Sequence, residues 1–258
     1  MKMPMKRRTF LNLTAVNGVA ASISLAAAVT MPKIKAVAFD GFTTFDPRPI
    51  SAVAEELFPA KGVELSTLWR TRQFEYTWLR TLTGNYADFW HVTEDALVFA
   101  AKMLKLDLTN EKHHQLMRSF LRFRAWPDAP AALKHLRASG IGMVLLSNFT
   151  ETMLNAGVRS CGLQGIFERH LSTDMVRAYK PDPRAYRMAI DGLKLQREEI
   201  AFAAFGGWDA AGAKAFGFPT FWVNRMGLPA EEVGSAPDAI GANLDDLVAF
   251  VMGRGAQG

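Results

Sequence analysis

The chain has 258 residues, 49% of them hydrophobic, which is enough to bury a sizeable core without covalent staples. Its single cysteine, Cys161, excludes an internal disulfide and a cysteine-built metal cluster, and the five histidines (His91, His113, His114, His135, His170) show no HxH or HExxH spacing, so zinc chemistry is not expected. The formal net charge of +5 invites a polyanionic partner, but the charge is unevenly placed.

Lys2, Lys6, Arg7 and Arg8 precede residue 33 with no acid among them; without them 26 basic side chains face 25 acidic ones. A near-neutral body gives no electrostatic reason to expect a nucleic-acid partner. The opening KRRTFLNL, followed by an uncharged, Ala-rich run ending near residues 26–28, has the form of a twin-arginine export signal. Residues 1–32 are therefore expected to engage the twin-arginine export machinery and to leave a periplasmic mature form starting near residues 29–33. The alternative is a membrane anchor, since residues 10–31 carry no charge and are long enough to span a bilayer. Gly, Ser, Asn and Ala dilute that run, which favours export.

Residues 34–39 form a short apolar run ending at Asp40 and followed by turn-prone Gly41, the pattern of a buried parallel strand delivering a polar side chain at its carboxyl end. From about residue 47 to 124 the pattern changes. SAVAEELF, ELSTLWRTRQFEYTWLRTL and DFWHVTEDALVFAAKML carry apolar residues three and four apart and predict amphipathic helices. The aromatic residues Trp69, Phe74, Tyr76 and Trp78 in the second of these suit either a homodimer face or packing on the core. After Pro127 strands and helices alternate. Strands are predicted over 141–146 (ending in Ser147-Asn148), 167–172, 200–205 and 220–223. Helices are predicted after Thr150 as N-cap, then over 182–192, 210–216 and 244–252.

This alternation predicts an α/β fold with a doubly wound parallel sheet, its core formed by residues 33–46 and 125–254, and an inserted helical cap over 47–124. Ligands in such sheets bind beyond the carboxyl ends of the strands, where the strand order reverses. Asp40, Ser147 and Asp209 all fall just after a predicted strand. Asp40 suits a nucleophile, a metal ligand or a helix N-cap, and this motif alone weighs the cap and the nucleophile equally. Ser147-Asn148 suits a binding edge or a self-satisfied turn. Lys180 lies in a YKPDP turn; an isolated lysine there is ordinarily just exposed. Asp209 follows Gly206-Gly207-Trp208 and suits a site carboxylate, an N-cap, or both.

Together the segments around Asp40, Ser147, Lys180 and Asp209, with LWRTRQFEYTWLRTL, LSNFT, YKPDPRAY and WDAAGAKAFGFPTFWVNR, resemble the haloacid dehalogenase superfamily, and within it the type II L-2-haloacid dehalogenases. The resemblance runs from about residue 33 to 250. It implies Asp40 as the nucleophile, with Thr44 as its hydrogen-bonding support. Arg70 would receive the leaving halide, and the Gly41 and Phe42 backbone N–H groups with the Ser147 hydroxyl would hold the substrate carboxylate. Asn148 would face the substrate, with Phe89 and Trp208 as pocket aromatics. Lys180 would pair with the carboxylates, Tyr186 would bond within that cluster, and Asp209 would position or activate water. The implied reaction is hydrolysis of a haloacid through an aspartyl ester, with no metal or cofactor.

Phosphatases of the superfamily generally carry a second aspartate two residues after the nucleophile; here that residue is Phe42. Residues 201–208 hold no acid, leaving Asp209 without the paired acids that would hold Mg²⁺. The pattern departs from the type II family where Ser-Ser-Asn-Ala-Trp-Asp is usual and this chain has Ala204-Phe205-Gly206-Gly207-Trp208-Asp209. A serine and an asparagine of the polar network are thus absent. Thr43-Thr44 stands for the usual Gly-Thr, and Phe42 for a tyrosine. Two other functions stay open on sequence grounds: a superfamily hydrolase of another small substrate, such as a phosphate ester, and a binding protein that has kept the pocket without turnover.

Overall fold

Strand β1 (Ala36–Phe39) is four small or apolar residues, all fully buried, as a central parallel strand requires. The computed structural model describes residues 32–255; the twin-arginine and anchor expectations for residues 1–32 lie essentially outside them. After β1 come a one-turn helix α1 (Gly41–Thr44) and a two-residue strand β2 (Phe45–Asp46). Four helices follow: α2 (Arg48–Leu57), α3 (Gly62–Thr83), α4 (Phe89–Met103) and α5 (Asn110–Ser119). The chain returns through β3 (Arg124–Ala125), which pairs antiparallel with β2, Phe45 opposite Ala125. This two-stranded neck, with the Phe45 and Phe123 rings stacked at 5.5 Å, marks where the helical cap leaves and rejoins the sheet.

The remainder alternates: α6 (Ala129–Ala138), β4 (Gly142–Ser147), α7 (Glu151–Ser160), β5 (Arg169–Ser172), α8 (Pro183–Leu193), β6 (Ile200–Ala204), α9 (Gly207–Phe216), β7 (Thr220–Val223), β8 (Ala239–Gly241) and α10 (Leu244–Gly255). Thr150 caps α7 as expected, its hydroxyl accepting the Met153 N–H at 3.2 Å. The strands form one parallel sheet ordered β5-β4-β1-β6-β7-β8. The chain winds outward from β1 through β4 to β5, then crosses back to β6, so the order reverses between β1 and β6. Phe39 is level with Leu145 and with Ala203, which brings the residues after β1, β4 and β6 to a single edge.

Several boundaries shift from expectation by a few residues, and one strand of the main sheet is additional. The run predicted over 200–205 ends its strand at Ala204, releasing Phe205 into the site. Helix α9 begins at Gly207, so Asp209 lies inside its first turn and Gly206 is the N-cap; Asp209 is not a cap. Edge strand β8 was not foreseen, because three residues carry no periodic pattern of their own. In the cap, the Trp69 indole is buried and donates to the Thr93 carbonyl at 2.7 Å. Phe74 and Trp78 pack on Trp208, and Tyr76 on Phe99. Trp69 is thus buried in the cap, and Phe74, Tyr76 and Trp78 are half-buried with ring contacts inside the chain.

Candidate active site

Asp40 is both a cap and a site carboxylate. Its Oδ2 accepts the Phe42 N–H at 3.0 Å, closing the first turn of α1, while Oδ1 accepts from Lys180 Nζ at 2.8 Å. The turn is anchored from far along the chain. The Trp126 indole N–H donates to the Phe42 carbonyl at 2.9 Å, and Arg225, ion-paired to Asp128, donates to the Thr43 carbonyl at 2.9 Å. Thr43 Oγ1 donates to the Asp40 carbonyl and Thr44 Oγ1 to the Gly41 carbonyl, at 2.6 and 3.1 Å. Thr44 therefore braces the turn and does not reach the Asp40 carboxylate, because a helical turn directs its hydroxyl back to the carbonyl three residues earlier.

Lys180, 1% exposed, bridges two carboxylates: Asp40 on one side and Asp209 Oδ2 at 2.5 Å on the other. Its backbone is fixed by the Asn148 side-chain carbonyl, which accepts the Lys180 N–H at 3.1 Å. Asp209 is also held through Oδ1 by the Tyr186 hydroxyl at 2.8 Å. Gly212, one turn further along α9, makes room for this grip, since a β-carbon there would lie 2.5 Å from Pro181 Cβ and 2.6 Å from the Tyr186 hydroxyl. Burial opposes the charge on Lys180, but Asp209 and Asp40 together outweigh it and raise its pKa. Burial raises Asp209; Lys180 opposes this, Asp40 adds to it, and the carboxyl stands at about 6. Burial also pushes the Tyr186 phenol well up, so it is a donor.

Over this triad lies a cavity of about 20 Å³, the room of one or two waters. Ser147, Asn148, Phe42, Phe89, Arg70 and Trp208 line it with Asp40 and Asp209, and Phe74, Phe149, Phe205 and Gly206 complete the wall. Ser147 Oγ accepts the Phe149 N–H and keeps its own proton free to donate. Gly41 runs against it, with a β-carbon position 3.3 Å from that hydroxyl. The Phe42 N–H differs from expectation: Asp40 already occupies it, so it is not free for a substrate carboxylate in this form. Phe42 itself is buried against Phe123, Phe149 and Phe205.

Arg70, half-buried on α3, has no carboxylate partner among the described residues. Its guanidinium lies over the rings of Phe42, Phe74 and Phe205 at 5.1, 5.1 and 5.7 Å. Burial lowers its pKa and the Asp40 charge opposes that, leaving a cation available to an incoming anion. Gly206 is filled by its neighbour: a β-carbon there would meet the Trp208 indole nitrogen at 2.8 Å. The indole thus occupies the space of a side chain at 206.

An aspartate at the reversal of strand order, a buried lysine between two carboxylates and a caged arginine in the cap thus meet at one edge of the sheet. The model of haloacid dehalogenase-like hydrolases matches residues 21–217. The (S)-2-haloacid dehalogenase of Pseudomonas sp. (strain YL) is 42% identical over 209 residues, covering 81% of this chain and 90% of that protein. The chain belongs to the haloacid dehalogenase-like hydrolases. A crystal structure of an L-2-haloacid dehalogenase matches with TM-score 0.84 and 43% identity, covering 86% of this chain and all of that one. The L-2-haloacid dehalogenase of Xanthobacter autotrophicus with chloropropionic acid covalently bound matches with TM-score 0.79 and 32% identity, covering 85% and 99%.

Within this hydrolase, the structure brings together Asp40, Lys180, Tyr186 and Asp209, and around them Arg70, Phe89, Ser147, Asn148 and Trp208. Sequence reasoning missed Phe205, which stands in the second serine's place and cages Arg70. Its position directly after an apolar run was the available signal. Trp126 and Arg225, which anchor the Asp40 turn, left no local signal.

Proposed function

We propose that this chain hydrolyses the carbon–halogen bond of short L-2-haloacids to 2-hydroxy acids, through an ester on Asp40 and without a metal. The observation that carries this is the pairing of two functions on opposite sides of one small cavity. Below is Asp40, its two oxygens held differently by Lys180 and the Phe42 N–H; above is Arg70, a cation with no resident anion. Oδ2 accepts a neutral N–H and Oδ1 an ammonium, so Oδ2 is the less stabilised oxygen and the one that attacks. It displaces halide from the α-carbon with inversion, the carbon–halogen bond breaking toward Arg70. The Ser147 hydroxyl and the Gly41 backbone lie where they can hold the substrate carboxylate and fix the line of attack.

In the second step water attacks the Asp40 Cγ. Oδ1, still on Lys180, carries the developing negative charge, and the Cγ–Oδ2 bond breaks to release the hydroxy acid. Asp209, held by Lys180 and Tyr186, orients that water and takes up its proton, which passes to the departing Oδ2 as the hydroxy acid leaves and restores the Asp209 carboxylate. A phosphoryl route lacks its general acid, because the second residue after Asp40 is Phe42. Lys180 already compensates the charge between the two carboxylates.

The test is halide release from a panel of short (S)-2-haloacids by purified protein, with multiple turnovers in ¹⁸O-water. Halide is expected, with label entering the peptide that contains Asp40. No halide from any acid, or Mg²⁺-dependent phosphate release from phosphate esters instead, refutes the reading. Asp40→Asn that keeps its full biological effect would point to a binding protein. We further propose that the protein acts in the periplasm; the support is the KRRTFLNL opening and the uncharged run after it. N-terminal sequencing of the mature protein is expected to begin near residues 29–33, and an uncleaved chain retained in membranes refutes it.

A further inference from the structure

Hydrolysis of an ester on Asp40 needs a water held in a defined place, and a water inside a protein is fixed by about two to four polar partners. Asp209 offers acceptors: its oxygens take the Lys180 ammonium and the Tyr186 hydroxyl, and each keeps a further lone pair. A donor has to stand opposite. Ser147 and Asn148 follow β4, across β1 from Asp209, whereas Phe205, Gly206, Trp208 and Asp209 all follow β6. Of the residues that line the cavity from the β6 side, only Trp208 carries a side-chain N–H.

That N–H is unlike the other indoles of the core. Trp69 donates to the Thr93 carbonyl at 2.7 Å, Trp126 to the Phe42 carbonyl at 2.9 Å and Trp222 to the Phe205 carbonyl at 3.0 Å. The Trp208 N–H has no acceptor among the described residues, yet the nitrogen is not sealed inside protein. A β-carbon on Gly206 would lie 2.8 Å from it, so the N–H sits over a residue that itself lines the cavity. A wider space that also touches Trp208, walled by Pro181, Ala211 and Glu231, does not reach Gly206. The indole is held in this pose by a tilted contact with Phe74 at 5.1 Å and a T-shaped one with Trp78 at 5.7 Å. The Trp222 bond pins the backbone just before Gly206.

We propose that the Trp208 indole N–H is the donor that holds the hydrolytic water against Asp209 for attack on the Asp40 ester. This rests on the dehalogenase reading above and adds a catalytic group to its second step. The water accepts from Trp208, points one proton at Asp209 and aims a lone pair at Asp40 Cγ. The new carbon–oxygen bond forms as that proton passes to Asp209, and Trp208 keeps its own. Position 206, where the usual asparagine is missing, thus receives a donor from two residues further along. A donor fixed before the reaction costs no reorganisation when the water attacks.

The experiment is a rapid-quench single turnover with excess enzyme and (S)-2-bromopropanoate, following bromide for the displacement and the ester on the Asp40 peptide for its decay. Trp208→Phe removes the N–H and keeps an aromatic ring. Gly206→Ala keeps the N–H but pushes it aside, and the extended backbone of Gly206 (φ −87°, ψ 142°) accepts alanine without strain. In both variants the ratio of ester decay to displacement is expected to fall by about ten- to a hundredfold, with ester accumulating. Trp78→Phe loosens the packing on Trp208 without touching its N–H, and the ratio is expected to stay within twofold of the wild type. An unchanged ratio in either Trp208→Phe or Gly206→Ala overturns the proposal, and so does an equal fall in Trp78→Phe, which would mark a packing role. Ester and bromide from the wild type with no selective slowing refute this donor alone; neither product from the wild type refutes the dehalogenase reading with it.

Discussion

Tyr186→Phe isolates one hydrogen bond on Asp209 while keeping the ring that packs on Phe202, Phe216 and Phe218. The Asp209 carboxyl stands at about 6: burial raises it, Lys180 opposes this, Asp40 adds to the rise, and the Tyr186 hydroxyl is among the groups holding it down. Loss of a hydrogen bond to a buried charged group costs about 1.5–3 kcal/mol, which is about one to two pH units at 1.36 kcal/mol each. The acid limb of kcat/KM, which reports the free enzyme, is therefore expected near pH 6 in the wild type and between about 7 and 8 in the variant. The apparent value belongs to the Asp40–Lys180–Asp209 cluster as a unit. Stability follows the same sign. A carboxyl whose folded pKa lies above its ordinary 3.8 contributes most below that value and loses the contribution as pH rises through about 6. Urea unfolding should thus show the variant weaker by about 1.5–3 kcal/mol at pH 8 and by about 1 kcal/mol or less at pH 5. An acid limb that stays at 6 or moves downward refutes the assignment of Asp209 as the ionising group.

Arg70→Ala removes the only cap cation over Asp40 among the described residues, and halide release in a single turnover is expected to slow by about 10²–10³ with the melting temperature little changed. Gly212→Ala drives a methyl into Pro181 and Tyr186; a loss of about 1–3 kcal/mol in thermal unfolding is expected, with activity falling alongside because the Tyr186–Asp209 bond is displaced. Arg225→Ala strands Asp128 and frees the Thr43 carbonyl, a loss of about 3–5 kcal/mol in urea at neutral pH. Burial opposes, but Arg225 and the Leu244 N–H hold the Asp128 carboxyl below its ordinary 3.8, so its contribution is present above that pH. The gap between wild type and Arg225→Ala should close as pH falls below it.

What the sequence disclosed depended on how local the cause was. Asp40 was legible because an apolar run must end where its chain leaves the sheet, and the two readings of its carboxylate turned out to be compatible: one oxygen caps, the other meets Lys180. Asp209 looked like the same case and was not, because Gly206 takes the cap and starts α9 early enough to turn Asp209 inward. Lys180 was ambiguous in isolation, since its burial depends on two acids 140 and 29 residues away. Trp126 and Arg225 reach the Asp40 turn across 84 and 182 residues and carry no local pattern at all. The Ala204 and Gly206 departures were legible as losses; that the Trp208 indole fills the space at 206 emerges only when the helix is built.

The same three charges imply an order to the reaction. In the resting site the Lys180 ammonium is shared by Asp40 and Asp209, and the Asp40 charge is one of the causes that raise Asp209. Forming the ester removes the Asp40 charge while Lys180 stays where it is. Asp209 then loses its repulsive neighbour and has the ammonium to itself, so its pKa falls below about 6 at the moment a water must be oriented. Consumption of the nucleophile thus readies the water-side carboxylate. The assay is a rapid-quench single turnover with excess enzyme, following decay of the ester on the Asp40 peptide as a function of pH. Its acid limb is expected below that of kcat/KM for the same substrate. Coinciding limbs, or an ester limb at higher pH, would show that Asp209 does not sense the charge on Asp40 and would remove the basis for this order.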